Sequence, residues 1–342
     1  MRPDVPDRSV RGSMGNEAGA RPLVALADAG PDVPAILVEG LEAIRAEVES
    51  GHPVWIDVAN PDPDQIAGIQ SLFPFHPLAM EDVHHAVQRP KLEDYEKHLF
   101  LVAFGIRAED ETAFTPLEVD FLIGDGYLVT FHEEPVPAIQ GVIDRSCMGR
   151  IPMERGPDYL LHALLDGLVD SYFPLLDALD REMEEVERKL LDPPQSELLA
   201  EIFSTRRHLL DLRRLLIPHA DVLSHLAGRE YPWVSPAVRT YFRDVYDHLM
   251  RITESADRYR ELLNTGVETY LGQAAESTNR VMKILAAIAT LGLPLTVITS
   301  FYGMNFEHMP GLHNPLGVGI LAGLLLAVEA VLFVLFRRKG WL

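Results

Sequence analysis

Cysteine is nearly missing from this chain: Cys147 is the single thiol in 342 residues. That excludes an intramolecular disulfide framework and a multi-thiolate zinc site, and it fits a reducing cytosolic compartment. Basic residues are scarce too, 30 against 51 acidic ones, which leaves a net charge of −21. A surface this acidic repels nucleic acid and attracts cations. Solubility accounts for most of these carboxylates, and a smaller set can face one another and need a divalent ion to coexist. The first twenty residues place Asp4, Arg8, Arg11 and Glu17 among Gly, Pro and Ser with no apolar run. They are therefore not a signal peptide and read as a disordered tail.

The most consequential absence is of charge near the C-terminus. Residues 284–302 contain no Asp, Glu, Lys, Arg or His, and residues 315–336 contain one, Glu329. Each stretch is close to the roughly 20 residues that span a bilayer's hydrocarbon as a helix. The loop between them, 303–314, has no Lys or Arg, whereas Arg280 and Lys283 precede the first span and Arg337, Arg338 and Lys339 follow the second. The positive-inside rule then places both termini in the cytoplasm and the loop outside the cell membrane.

What precedes the spans is mixed and then helical. Ala35–Val38, Pro53–Val58 and His98–Ile106 read as strands, and Leu41, Ile44 and Val48 between the first two have helical spacing. Glu118–Ile123 and Tyr127–Phe131 flank Gly124-Asp125-Gly126, a hairpin signal. The spacing predicts one helix over 158–191, ended by Pro193-Pro194, and a second from Ser196 to about Leu226, forming a helical hairpin. Its tip, around 177–187, carries Asp177, Asp180, Glu182, Glu184, Glu185 and Glu187, mostly a solvated face. No proline interrupts 237–293. A single helix over 236–302 would run about 100 Å at 1.5 Å per residue. Val238, Phe242, Val245, Leu249, Ile252, Ala256, Tyr259, Leu263 and Tyr270 step along it by threes and fours, a seam that asks for copies of the same chain.

The fold class is thus an α+β membrane protein. Its parts are a tail (1–20), a cytosolic α/β domain (21–155), a helical hairpin (156–235), a stalk helix (236–283), a first span (284–302), an outer loop (303–314), a second span (315–336) and a basic cytosolic tail (337–342).

Continued into the first span, the seam becomes Asn279, Met282, Ala286, Ala289, Leu293, Thr296 and Ser300, against a bulky face of Ile284, Ile288, Leu291, Leu295, Ile298 and Tyr302. Small-residue packing between membrane helices gives this pattern. So does a ring of helices around an aqueous path, with Asn279 and Thr296 as polar rings and Met282, Leu285 and Leu293 as apolar rings that dewet and close. Pro294 frees the Thr290 carbonyl, which is tolerated where it faces protein or water. No carboxylate lies on the seam. Mg²⁺ dehydrates reluctantly, so a path of amide, hydroxyl and carbonyl groups suits an ion that keeps its water.

Gly303-Met304-Asn305, placed between two C-terminal spans and ahead of a basic end, resembles the signature of the CorA family of divalent-cation channels. Glu81-Asp82-Val83 with Gln88-Arg89-Pro90-Lys91, and the stretch 241–248 (YFRDVYDH), also look like that family, and the similarity runs from about Pro53 onward. The resemblance implies a funnel-shaped homopentamer that passes Mg²⁺, with Co²⁺ and Ni²⁺, into the cytoplasm. It implies that Asn305 holds the hydrated ion at the outer mouth, with Gly303 and Met304 shaping the loop. Asn279 corresponds to the inner polar ring, and Met282, Leu285 and Leu293 to the constriction. Asp82 and Asp244, with Glu81 and His248 as weaker additions, correspond to a regulatory Mg²⁺ site between subunits.

Other constellations carry less. Asp82, His84 and His85 look like a metal cluster, but adjacent histidines point apart. His132-Glu133-Glu134 lacks the spacing of a zinc protease motif. No enzyme is indicated, and no organic cofactor. Two rival readings remain: a proton-coupled Zn²⁺ transporter, whose signature usually differs at Met304, and a non-conducting membrane-anchored cation sensor or scaffold. Glu329 departs from the family's apolar second span. The sequence leaves it three roles: protonation, a bond to a first-span hydroxyl such as Thr299, or an effect on ion passage.

Overall fold

A computed structural model describes residues 23–27, 35–85, 89–109, 112–304 and 315–341. The tail at 1–20 lies outside them, as do Asn305 and the remaining residues 306–314 between the two spans. The chain divides into two compact units, Met1–Glu184 with Ser204–Glu261 and Glu185–Phe203 with Leu262–Leu342.

The first unit holds a seven-stranded sheet: β1 (Val24–Ala27), β2 (Ile36–Glu39), β3 (Val54–Ala59), β4 (Lys91–Asp94), β5 (Leu99–Ala108), β6 (Phe114–Gly124) and β7 (Tyr127–His132), in the order β2-β1-β3-β7-β6-β5-β4. The pair β3–β7 is parallel and the others are antiparallel. All of β7 is buried, so both faces of the sheet are covered there. The hairpin expected at residues 124–126 joins β6 to β7, and Gly126 takes the φ of 75° that this turn requires.

Three short helices, α1 (Leu41–Ser50), α2 (Pro63–Leu72) and α3 (Pro77–His84), lie between β2 and β4 in sequence, and α4 (Pro137–Cys147) follows β7. Asp62 and Gln65 start α2 with a reciprocal capping box, the Gln65 N–H donating to Asp62 Oδ1 at 2.7 Å. His76 caps α3 by accepting from the Leu78 N–H at 3.3 Å, with Pro77 behind it.

The single helix expected over 158–191 is two, α5 (Pro157–Asp170) and α6 (Phe173–Lys189). The sheet causes the break. β4 pairs with β5 only as far as Val102, which leaves later edge groups of β5 without a strand partner. Ser171 Oγ accepts from the Ile106 N–H at 3.0 Å, and the Tyr172 hydroxyl donates to the Phe104 carbonyl at 2.8 Å. A buried backbone group left unpaired is costly, so the corner between α5 and α6 stops where it satisfies both. α5 lies over β5, β6 and β7.

After α6 come α7 (Ser196–Gly228), α8 (Pro236–Tyr302) and α9 (Pro315–Arg338). Here the seam reading needs correction. From Val238 to Ala256, and again at Leu263, the seam residues of α8 are buried within this one chain. Within the first unit, His162 of α5 packs on Tyr241 and Phe242, the Tyr259 hydroxyl donates to Asp180 of α6 at 2.9 Å, and Arg213 of α7 pairs with Asp257. Periodicity reported that this face is covered; the covering is the chain's own helices. In the second unit, Gly266 leaves room for Leu190 and Ile202, whose methyls an added Cβ would meet at 3.2 and 3.7 Å.

His219 on α7 is fully buried and neither ring nitrogen has a partner. Burial pushes its pKa down to about 4. As pH falls below about 6.5, the unfolded chain takes up this proton before the folded one does. The stability tied to a neutral His219 is therefore complete above about pH 6.5 and is lost toward pH 4. A His219→Leu protein should melt at a temperature less sensitive to acidification than the parent; an equal slope would contradict this.

Candidate ion path and regulatory carboxylates

The first candidate site lies in the second unit. Beyond Leu271 most residues of α8 are exposed in the single chain, and 6% of its apolar window is buried, against 0% for α9. A core helix of a soluble protein would be mostly covered. The chain does cover a narrow stripe, Ala287, Leu291, Pro294, Ile298 and Tyr302. On a helix of 3.6 residues per turn this stripe faces away from Asn279, Met282, Ala286, Ala289, Leu293, Thr296 and Ser300. Every one of those seam residues is exposed, with Met282 and Leu293 at 63%, and the neighbouring Leu285 is equally exposed.

The threonine hydroxyls of the span are already committed as donors. Thr290 donates to Ala286 O at 2.8 Å, Thr296 to Gly292 O at 2.8 Å and Thr299 to Leu295 O at 2.8 Å. Such back-bonding leaves each oxygen presenting only its lone pairs. Pro294 sits inside the continuous helix.

At the helix end, the Gly303 N–H donates to Thr299 O at 2.9 Å, and an added Cβ would lie 3.1 Å from that carbonyl. Glycine is thus what the turn into the loop accommodates. Met304 is exposed. Asn305 lies outside the described residues. Glu329 Oε1 on α9 is buried with no hydrogen-bond partner, so the bond to Thr299 considered from sequence is not made. Phe336 and Trp341 stack at 5.5 Å beside the exposed Arg337, Arg338 and Lys339, an interfacial anchor.

The second candidate site lies in the first unit. Glu81 and Asp82 stand on α3, whose last turn is tied by His84 Nδ1 to Met80 O at 2.5 Å and His85 Nδ1 to Glu81 O at 2.9 Å. Each histidine satisfies a different carbonyl, so neither converges with Asp82. The Asp82 carboxylate instead meets the Lys91 ammonium, which donates to Oδ2 at 2.5 Å and also lies 3.4 Å from Glu93 Oε1. Burial alone would lower the Lys91 pKa, but Asp82 and Glu93 outweigh it and leave it raised. Asp120 on β6 is buried nearby with Oδ1 unpartnered, and burial pushes its pKa well up, with Glu118 and Asp82 adding to the effect.

Asp244 and His248 lie one turn apart on α8, with Nε2 3.8 Å from Asp244 Oδ2. His248 is also brought to Asp166 and Asp170 of α5, with one ligand atom from each lying within 4.8 Å of the others. Burial raises the pKa of both acids; Asp244 adds to this at Asp166, as Asp166 does at Asp170. A divalent ion would relieve that strain of like charge. The donor set, two carboxylates and an imidazole, accepts first-row ions such as Co²⁺ and Ni²⁺ as well as Mg²⁺. Sequence reading missed Asp166 and Asp170. The available signal was two acids one helical turn apart in an otherwise apolar stretch, HALLDGLVD at 162–170. Within one chain Asp82 and Asp244 have separate partners, Lys91 and His248.

The family model described as CorA-like Mg²⁺ transporter protein matches residues 50–338. A cobalt/magnesium transport protein CorA from Thermotoga maritima is 32% identical over 305 residues, covering 88% of this chain and 87% of that protein. The protein of the same name from Methanocaldococcus jannaschii is 27% identical over 291 residues, covering 84% of this chain and 91% of that protein. The complete structure of the CorA magnesium transporter from M. jannaschii superposes with a TM-score of 0.78 at 25% identity, over 94% of this chain and 98% of that one. A cytosolic α/β domain, a long helix and two C-terminal apolar helices are common ground. The chain belongs to the CorA-like Mg²⁺ transporter family.

Proposed function

We infer that this chain is a channel-type uptake transporter for Mg²⁺, and for Co²⁺ and Ni²⁺, working as a homopentamer in the cell membrane with both termini in the cytoplasm. The observation that carries the reading is the first span: the side its own chain covers is apolar, and the side it leaves bare holds Asn279, Thr296 and Ser300. The water around a cation points its hydrogens outward, so a path for a hydrated ion needs acceptors. Back-bonded threonine oxygens are acceptors, and so is the Asn279 amide oxygen. Met282, Leu285 and Leu293 narrow the same face with apolar rings that exclude water when the helices draw together. Asn305, with Gly303 and Met304 behind it, holds the ion at the outer mouth.

Gating follows from the carboxylates. Asp82 of one subunit and Asp244 of the next, supported by Glu81 and His248, repel unless a cation lies between them. Plentiful cytosolic Mg²⁺ neutralises them and favours the closed arrangement; when it falls, repulsion releases the stalks. An Asp82→Lys channel should keep conducting at Mg²⁺ concentrations that silence the parent, and inhibition unchanged from the parent would contradict the gating scheme.

Flux into liposomes tests the transport reading. Mg²⁺ and Co²⁺ entry without a pH gradient is the expected result. Zinc entry that requires a pH gradient would favour a proton-coupled zinc transporter, and no divalent flux would favour a scaffold.

A further inference from the structure

Lys91 is the only cation that hydrogen-bonds the Asp82 carboxylate among the described residues, and it is held in an unusual setting. It extends from β4, 5.3 Å from the Phe100 ring centroid, with three acids around it: Asp82 at 2.5 Å, Glu93 at 3.4 Å and the buried Asp120 within its field. Glu93 in turn is fixed by the Tyr95 hydroxyl, which donates to Oε2 at 2.5 Å. The ammonium thus has two carboxylates within reach of a small side-chain rotation. One of them is the acid assigned above to the regulatory ion, and the other is not.

We propose that Lys91 is a tethered competitor of the regulatory divalent ion: its ammonium holds Asp82 when Mg²⁺ is scarce and moves to Glu93 when Mg²⁺ binds. The inference rests on the reading of Asp82 as a ligand of that ion. The geometry sets the two cations against each other. A Mg²⁺ ion sits about 2.1 Å from a carboxylate oxygen it ligates directly. With the ammonium 2.5 Å from Oδ2, an ion on either oxygen of Asp82 would be its close neighbour on one carboxylate. A doubly charged ion gains more from that oxygen than an ammonium does, and the ammonium can leave because Glu93 receives it. A monovalent ion has no such advantage over a cation covalently held at the site, whose effective concentration is high. Lys91 therefore sets the Mg²⁺ concentration at which the site fills, and it keeps K⁺ and Na⁺ off Asp82.

The test uses the full-length protein in lipid nanodiscs, titrated with MgCl₂ and read by resistance to trypsin and by melting temperature. Lys91→Gln should lower the Mg²⁺ midpoint about fivefold, the equivalent of roughly 1 kcal/mol, and Lys91→Arg should leave it near the parent's. Glu93→Gln should shift it the other way, because the displaced ammonium loses its second partner. Glu93 is half-exposed, so this variant tests the idea even if Lys91→Gln folds poorly. Opposite shifts from Lys91→Gln and Glu93→Gln are what a merely structural role would not give. Asp82→Asn separates the two levels of the argument. If it leaves the parent midpoint unmoved, the regulatory reading of Asp82 fails, and this inference with it. If Asp82→Asn raises the midpoint but Lys91→Gln raises it or leaves it unchanged, the competitor role alone is overturned.

Discussion

An Asn305→Ala protein inserts and assembles as the parent does but loses Mg²⁺ uptake by about 100-fold or more. The expectation follows from how little else the outer mouth offers. The loop 303–314 has no Lys or Arg to repel a cation and one carboxylate, Glu307, two positions beyond the asparagine. Gly303 fixes where the loop leaves the helix, since its N–H is bonded to Thr299 O and there is little room for a Cβ. On the proposed reading, the amide of Asn305 is the acceptor offered to the waters of the arriving ion. In the proposed homopentamer, losing one hydrogen bond of roughly 1 kcal/mol in every copy multiplies into a loss of several kcal/mol for the ring. Uptake measured in liposomes checks this, and near-parental flux through Asn305→Ala would remove the mouth from the account. Asn305→Gln keeps the amide but moves it by a methylene, so an intermediate flux is expected.

Phe242→Ala lowers the stability of the chain by about 3–5 kcal/mol, the usual cost of emptying a fully buried aromatic site. Phe242 has no exposed surface and meets the His162 ring edge-on at 6.0 Å. Because its partners lie in the same chain, the loss should appear as a lower melting temperature that does not depend on protein concentration. A seam between copies would respond differently: the variant would dissociate on dilution while each chain kept its melting behaviour.

These two residues mark what could be read without coordinates. The spans were legible because a missing charge over a membrane's width has few other meanings. The hairpin at residues 124–126 was legible because glycine at a turn between alternating strands is a local signal. The α5–α6 break was not, because leucines keep their spacing through Ser171 and Tyr172 and the reason to stop lies on β5, far away in sequence. The seam of α8 was found and its partners were misassigned, since periodicity reports that a face is covered and not what covers it. β4, reading KLED, is too polar to be recognised as a strand, so the sequence shows Lys91 as part of a motif and not as the partner of Asp82. Asp166 and Asp170 gain meaning only when α8 brings His248 to them.

The central claim is that the small and polar face of the first span, and not its bulky face, lines a wet path. Cysteines placed one at a time in a Cys147→Ser background test it directly, using a charged thiol reagent during Mg²⁺ flux. Asn279→Cys and Thr296→Cys should react and block the flux, while Ile288→Cys and Leu295→Cys on the bulky face should stay unmodified. Reaction on the bulky face, with positions 279 and 296 silent, would contradict the account.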